Sequence, residues 1–184
     1  MILASLRTAT GSAHRRLEDG LALLDPPLER ERFARTLVGF HAFHRAWEPL
    51  VERLTGEAAF LAPRRRLALL EADLAALGAE PARASDPIPF LTTRAEAWGS
   101  LYVMEGSALG GLVISKVLQG ADWLPKGGLT YFNPYGRRTM TEWRTFLARL
   151  EAIAAQEPEE EIVSGAVATF AHLQARLVPL EEAA

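Results

Sequence analysis

The sequence predicts an all-α, single-domain protein. Apolar residues recur at three- and four-residue steps in every long segment, and no stretch alternates as a half-buried strand does. The interruptions between periodic segments fall at Pro, Gly and Asp, the residues that end helices. A chain of 184 residues is long enough to bury a real core, so residues 1–184 are expected to form one domain.

The elements follow in order. Leu3, Leu6, Thr10, Ala13, Leu17 and Leu21 mark one face of a first helix, which Asp25-Pro26-Pro27 ends. Phe33, Leu37, Phe40, His44 and Trp47 mark a second, with Pro49 as a potential kink and Thr55-Gly56 as its end. Pro63 suits the first position of a third helix, which carries Leu67, Leu70, Leu74 and Leu77 and has Gly78 past its end. Pro87 and Pro89 make a loop of residues 84–90. An apolar helix is expected over about residues 91–119. Residues 120–136 form a loop whose Tyr131, Phe132 and Tyr135 should pack it down. Thr139 and Glu142 have the spacing of a capping box, opening a helix that runs to about Gln156. Pro158 and Glu159–Glu161 open the last helix, which runs to about Pro179.

Composition narrows the function. Apolar residues make 49% and charged residues 23%, the balance of a globular domain, and the net charge of −3 gives no reason to expect nucleic acid. No cysteine is present, which excludes disulfides, zinc–thiolate sites, Fe–S clusters and thiol nucleophiles. Arginine far outnumbers lysine, which suits anion recognition by guanidinium and equally a GC-rich genome. The N-terminus lacks the charged and apolar regions of a secretory signal, and Glu105 and Lys116 interrupt the longest apolar run. The expectation is a cytoplasmic protein with no membrane span.

The most informative segment is Leu101–Gly111, inside that apolar run. It holds Gly106, Gly110 and Gly111, each costing about 1 kcal/mol against alanine in a helix interior. Gly106 and Gly110 share a face, with Ser107 and Gly111 beside them. Such a strip lets a large flat ligand touch backbone; it equally suits close helix packing or a kink. Among the histidines, His14 sits beside the first helix's apolar stripe, with Glu18 at i+4 placed to orient its imidazole. His41 and His44, three apart among Phe40, Phe43 and Trp47, read as packed residues without a third ligand, and His172 carries little information. A di-iron carboxylate site needs Glu three residues before His, and Gly11, Val38, His41 and Thr169 occupy those places. There is no nucleophile elbow, P-loop or dinucleotide-binding glycine fingerprint.

Three blocks together carry a resemblance to heme oxygenases. Leu6 to Glu18 resembles the family's first helix: basic Arg7, Thr10 three on, His14 four further and Glu18 four after that. Tyr102 to Gly111 is similar to the glycine-rich distal helix, above all that of the bacterial branch. Residues 129–136, followed by Trp143 and Arg144, resemble the family's aromatic loop and the helix after it.

The resemblance implies a helical bundle with heme b held between the first helix and a kinked, glycine-rich distal helix. His14 would be the proximal iron ligand. Gly106 and Gly110 would form the distal pocket for O₂, and Arg7 and Arg144 would hold propionates. Glu18, Tyr102, Ser107, Gly111 and Tyr131 would complete the heme contacts. The implied reaction is cleavage of heme, both substrate and cofactor, to biliverdin, CO and ferrous iron. It draws on an external electron donor, a reductase or ferredoxin. Biliverdin would supply a phytochrome, or heme would be mined for iron.

Two positions depart from the family pattern. Ser107 stands where animal and cyanobacterial members carry aspartate, as in bacterial relatives, and leaves the distal proton relay unassigned. Ala148 replaces a further arginine; the adjacent Arg149 lies about 100° around the helix. The competing reading is a non-catalytic heme carrier or storage protein with the same pocket. A thiamin-salvage hydrolase of similar fold would need the cysteine this chain lacks.

Overall fold

The computed structural model describes residues 1–25 and 28–178, and among these the regular structure is entirely helical. The helices are α1 (Ile2–Leu21), α2 (Arg30–Thr55), α3 (Ala58–Leu61), α4 (Leu67–Ala76), α5 (Arg94–Leu118), α6 (Thr139–Ala154) and α7 (Glu159–Leu177). Short 3₁₀ turns at Ala62–Arg64 and Gly136–Arg138 precede α4 and α6. The all-α class read from periodicity is therefore the observed one.

The sequence explains each main helix. In α1 the buried Ile2, Leu6, Thr10 and Leu17 step at helical spacing toward the core, and the helix ends at Ala22 in the left-handed region (φ 44°). Leu21 is thus the last helical residue, earlier than Asp25; Pro26 and Pro27 lie outside the described residues, as does Pro179. Pro49 does not interrupt α2, which ends where expected, at Gly56 with φ 70°.

Three boundary expectations are corrected. Pro63 falls in the 3₁₀ turn, Arg65 is extended, and α4 begins only at Leu67. The break satisfies α4's first amides from another helix: the Glu48 carboxylate of α2 accepts from the N–H of Arg66 (2.7 Å) and Leu67 (2.9 Å). Thr139 and Glu142 make no capping box. The Thr139 hydroxyl donates to the Gly136 carbonyl, and Glu142 pairs with Arg138 and Arg64. The reciprocal box sits instead at Thr93 and Glu96, so α5 starts at Arg94 rather than near residue 91.

Helix α5 is the axis of the bundle. It is long and apolar enough to cross a membrane, with a mean hydropathy of 1.4 over its most apolar window, yet it packs on α7, α6 and α2. Its crossing with α7 is the most extensive contact between helices and is made by backbone. A Cβ on Gly99 would overlap the Ile162 carbonyl oxygen, and one on Gly165 would overlap the Glu96 carbonyl oxygen. Around that crossing Trp98, Phe146 and Trp143 stack in turn, at centroid distances of 6.1 and 5.6 Å. Trp98, Phe33, Phe43, Phe146, Leu37 and Leu101 are fully buried, each contributing about 1.5–3 kcal/mol of apolar transfer energy.

Candidate functional site

Where α1 faces the second half of α5, the bundle opens into a cavity of about 480 Å³, within the roughly 300–1,000 Å³ usual for organic ligands. Helix α1 supplies Arg7, His14, Arg15 and Glu18; α5 supplies Tyr102, Gly106, Ser107 and Gly110. Phe40 of α2, Phe170 and Leu173 of α7, Trp143 of α6, and Tyr131 and Phe132 of the long loop complete mostly apolar walls. Three arginines (Arg7, Arg15 and Arg66) line the cavity against the single carboxylate of Glu18. Apolar walls with a cationic excess fit a flat apolar ligand bearing anionic groups.

On the α1 wall, His14 is half exposed, with Nδ1 3.2 Å from Glu18 Oε2 and Phe170 edge-on at 5.7 Å. With Glu18 at Nδ1, the tautomer that carries its proton on Nδ1 and points it at the carboxylate leaves the Nε2 lone pair free, the form that ligates a metal. No described group bonds Nε2, and no cluster of three metal-ligating side chains exists among the described residues. Among the described residues, His14 could contribute one nitrogen donor to a metal whose other ligands come from elsewhere.

Across the cavity, the glycines divide into two kinds. A Cβ on Gly106 would meet only the Trp143 ring, at Cη2 (3.7 Å) and Cζ3 (3.9 Å), and one on Gly110 only Glu18 Oε1 at 3.9 Å. Both are ordinary contacts, so no neighbouring helix requires these two positions to be bare. Gly111 is different: a Cβ there would overlap the Phe132 carbonyl oxygen, so this glycine seats the aromatic loop and does not line the cavity.

Behind the α5 wall lies a polar network that sequence reasoning missed. Arg66, 2% exposed, donates to Ser107 Oγ (3.0 Å) and Glu105 Oε1 (3.2 Å), and Ser107 donates to the Met104 carbonyl (2.7 Å). Glu105 also receives Arg64 at 2.7 Å and the Tyr135 hydroxyl at 2.9 Å. Burial is the largest influence on Arg66 and would lower its pKa, but Glu105, Tyr135 and Tyr131 together outweigh it and raise the pKa, so the cavity wall holds a permanent cation. The one hint in the chain was Glu105, a charge inside an apolar run. Its basic partners come from the Arg64-Arg65-Arg66 run, where no local pattern marks burial, and its phenol partner is Tyr135.

A second chain starts at Tyr131. Its hydroxyl stands 3.2 Å from His44 Nε2, and His44 Nδ1 stands 3.0 Å from Glu48 Oε1. Burial lowers the His44 pKa, keeping the ring neutral, and raises that of Tyr131, keeping the phenol protonated. Burial pushes Glu48 up, but the bonds from His44 and from the Arg66 and Leu67 amides bring it below the ordinary carboxylate value. The consistent assignment is Tyr131 O–H donating to Nε2 and Nδ1–H donating to the Glu48 carboxylate. His41 and His44 are both buried, as packed residues should be, and His172 pairs with Asp86 at 2.7 Å away from the cavity.

Of the residues singled out in the sequence, Arg7, His14, Glu18, Tyr102, Gly106, Ser107, Gly110 and Tyr131 line this one cavity. Arg144 does not: it is exposed and makes no ion pair among the described residues, while its neighbour Trp143 takes the wall position on α6. Arg15, not singled out, does line it.

Comparison with known proteins agrees with this picture. The family model for heme oxygenase matches residues 1–177. A heme oxygenase of Xanthomonas campestris is 38% identical over 110 residues, 59% of this chain and just under two thirds (65%) of that protein. The Pseudomonas aeruginosa heme oxygenase PigA is 31% identical over 163 residues, 86% of this chain and 82% of that one. A solved NO- and CO-bound heme oxygenase of Neisseria meningitidis superposes with a TM-score of 0.80 over 100% of this chain and 95% of its own, at 24% identity, a likeness of fold.

Proposed function

This chain belongs to the heme oxygenase family, and on that premise we propose that it binds heme b in the α1–α5 cavity and cleaves it to biliverdin, CO and ferrous iron. The observation that carries the reading is the pair Gly106 and Gly110. They are bare where no packing demands it, on the cavity wall opposite the His14–Glu18 pair. A protein that only carried heme has no need of open space on that face and could fill it with a second axial donor.

When bound, heme supplies the redox-active iron and is itself the macrocycle that O₂ and electrons from a reductase or ferredoxin open. The residues do the rest. His14 donates Nε2 from one side, and Glu18 sets the tautomer that makes this possible. Gly106 and Gly110 leave room for O₂ and bring backbone close. Arg66, locked by Glu105, holds a cation and Ser107 Oγ at the same wall. Tyr131 commits its proton to His44, so toward the cavity it offers lone pairs and ring edge. Arg7, in the cavity lining, would hold one propionate, and Arg144, exposed on α6 next to Trp143, would hold the other. Tyr102 packs against Trp143 in a tilted arrangement, centroids 5.9 Å apart, and closes the side wall.

The deciding experiment is to add heme and ascorbate under air and follow the Soret band. Its decay into biliverdin absorption supports the enzyme; stable uptake without decay assigns a carrier or storage role instead.

A further inference from the structure

The long loop that brings Tyr131 to the cavity has no regular structure from Gln119 to Tyr135, yet Tyr131 is only 3% exposed and sits among Phe40, Phe132 and His44 at centroid distances of 5.1–5.5 Å. What holds it is a side chain from α4. Asp73, with no exposed surface, accepts from the Thr130 N–H at 2.9 Å and the Thr130 hydroxyl at 2.5 Å through Oδ1, and from the Tyr131 N–H at 2.8 Å through Oδ2. No cation pairs with this carboxylate among the described residues. All three donors belong to two adjacent loop residues, of which Tyr131 lines the cavity. Burying a carboxylate without a counter-charge is costly, and burial here raises the Asp73 pKa against the pull of those bonds. Two separate oxygens that only accept are what two adjacent amides and a hydroxyl require; an amide side chain would turn a donor toward one of them. Gly111 seats the next residue by letting the Phe132 carbonyl lie against α5, so the loop is fixed on both sides of Tyr131.

We propose that Asp73 is a positioning residue of the heme site: it sets the height of Tyr131 on the cavity wall, and through it the contact of the Tyr131 hydroxyl with His44. The inference rests on the heme reading above. It places a control point of the cavity on α4, a helix that sends no side chain of its own into it apart from Arg66 at its N-cap.

The test is a cycle of Asp73→Asn, Tyr131→Phe and the double variant. In the heme-free proteins, the ¹⁵N shift of His44 Nε2 and exchange of the Tyr131 amide are read. In the heme complexes, the dissociation constant and the biliverdin isomer ratio are read. Asp73→Asn should lower Tyr131 amide protection roughly ten-fold or more. It should move the His44 Nε2 signal toward its value in Tyr131→Phe and weaken heme binding by about ten-fold. Adding Tyr131→Phe to Asp73→Asn should change neither the His44 signal nor the isomer ratio further, because the hydroxyl is already misplaced. If Asp73→Asn folds poorly, Thr130→Val removes only the hydroxyl bond and should shift the same signals in the same direction by a smaller amount. An unchanged His44 signal, heme affinity and isomer ratio alongside lost amide protection would overturn the proposal and leave Asp73 a loop fastener. Wild-type protein that takes up no heme would overturn the heme reading, and this inference with it. Wild-type uptake with indifferent variants overturns this inference alone.

Discussion

Two sets of glycines on α5 are bare for opposite reasons: Gly99 and Gly111 for contact with neighbouring backbone, Gly106 and Gly110 for open space. At Gly99 the neighbouring backbone of α7 leaves no space for a methyl group, and Gly165 answers it from the other helix. At Gly106 and Gly110, two and three turns further on, a methyl group would meet one side chain each, Trp143 and Glu18, at ordinary contact distance. The first pair lets two helices touch; the second keeps a wall of the cavity clear. A glycine's helix penalty is about 1 kcal/mol in both places. At the crossing, as at Gly111 beneath the aromatic loop, the fold itself recovers it through close packing. At the cavity the return must come from something the protein binds.

That contrast can be broken most forcefully at the crossing. Gly99→Ala pushes a methyl group into the Ile162 carbonyl and should cost about 3 kcal/mol or more. Thermal unfolding of the heme-free protein should then drop by roughly 6–12 °C. A loss under about 1 kcal/mol would show that α5 and α7 are not so closely packed.

At the cavity the expected losses are functional. His14 is half exposed, so His14→Ala should barely change the unfolding curve while removing the histidine–iron spectral signature and turnover. Wild-type spectra in that variant would remove His14 as the ligand. The anchors should rank by placement. Arg7→Ala should weaken heme binding by about 1–2 kcal/mol, the upper part of the range being reserved for buried charged bonds. Arg144→Ala should cost less, because that side chain starts outside the cavity lining. Heme titration checks both, and the reverse order would mean that the α6 side closes further over the ligand than α1 does.

Gly110→Ala sharpens the comparison with the smallest effect. It should raise heme-free stability by up to about 1 kcal/mol, with Gly106→Ala close behind, and both should impair turnover. A variant that melts lower yet turns over heme normally would return Gly110 to the packing class.

The buried polar chain behind the cavity adds a pH dependence. Burial depresses the folded-state pKa of His44, and of His41, below the ordinary imidazole value of 6.5. The unfolded chain therefore binds more protons below that pH. The stability of the neutral rings is complete above about pH 6.5 and is lost as pH falls through that value toward the folded pKa. Glu48, depressed by its bonds from His44, Arg66 and Leu67, adds a further loss at more acidic pH as it protonates. Urea unfolding at pH 7.5 and 5.0 should show a fall that His44→Asn reduces. An unchanged pH dependence in that variant would mean that His44 binds protons alike in the folded and unfolded chains, and burial does not lower its pKa.

The sequence alone determined the helical class, the order of the long helices, the His14–Glu18 pair and the bare face of Gly106 and Gly110. Each of these lies within one helix, where periodicity of 3.6 residues tells which side chains share a side. Helix boundaries were less legible. The Thr139–Glu142 spacing and Pro63 looked like starts, but capping depends on what the side chains meet, and Glu142 is drawn away by Arg64 and Arg138. Only the tertiary structure decided which glycines face a neighbour and which face a cavity. It also decided that Arg15 lines the wall while Arg144 does not, and that a buried Arg66 and the Tyr131–His44–Glu48 chain stand behind it. Arg66 and Ser107 are 41 residues apart, and His44 and Tyr131 are 87 apart. What joins such residues is the packing of α4, α5 and the loop against one another, and no local pattern encodes the distance between helices.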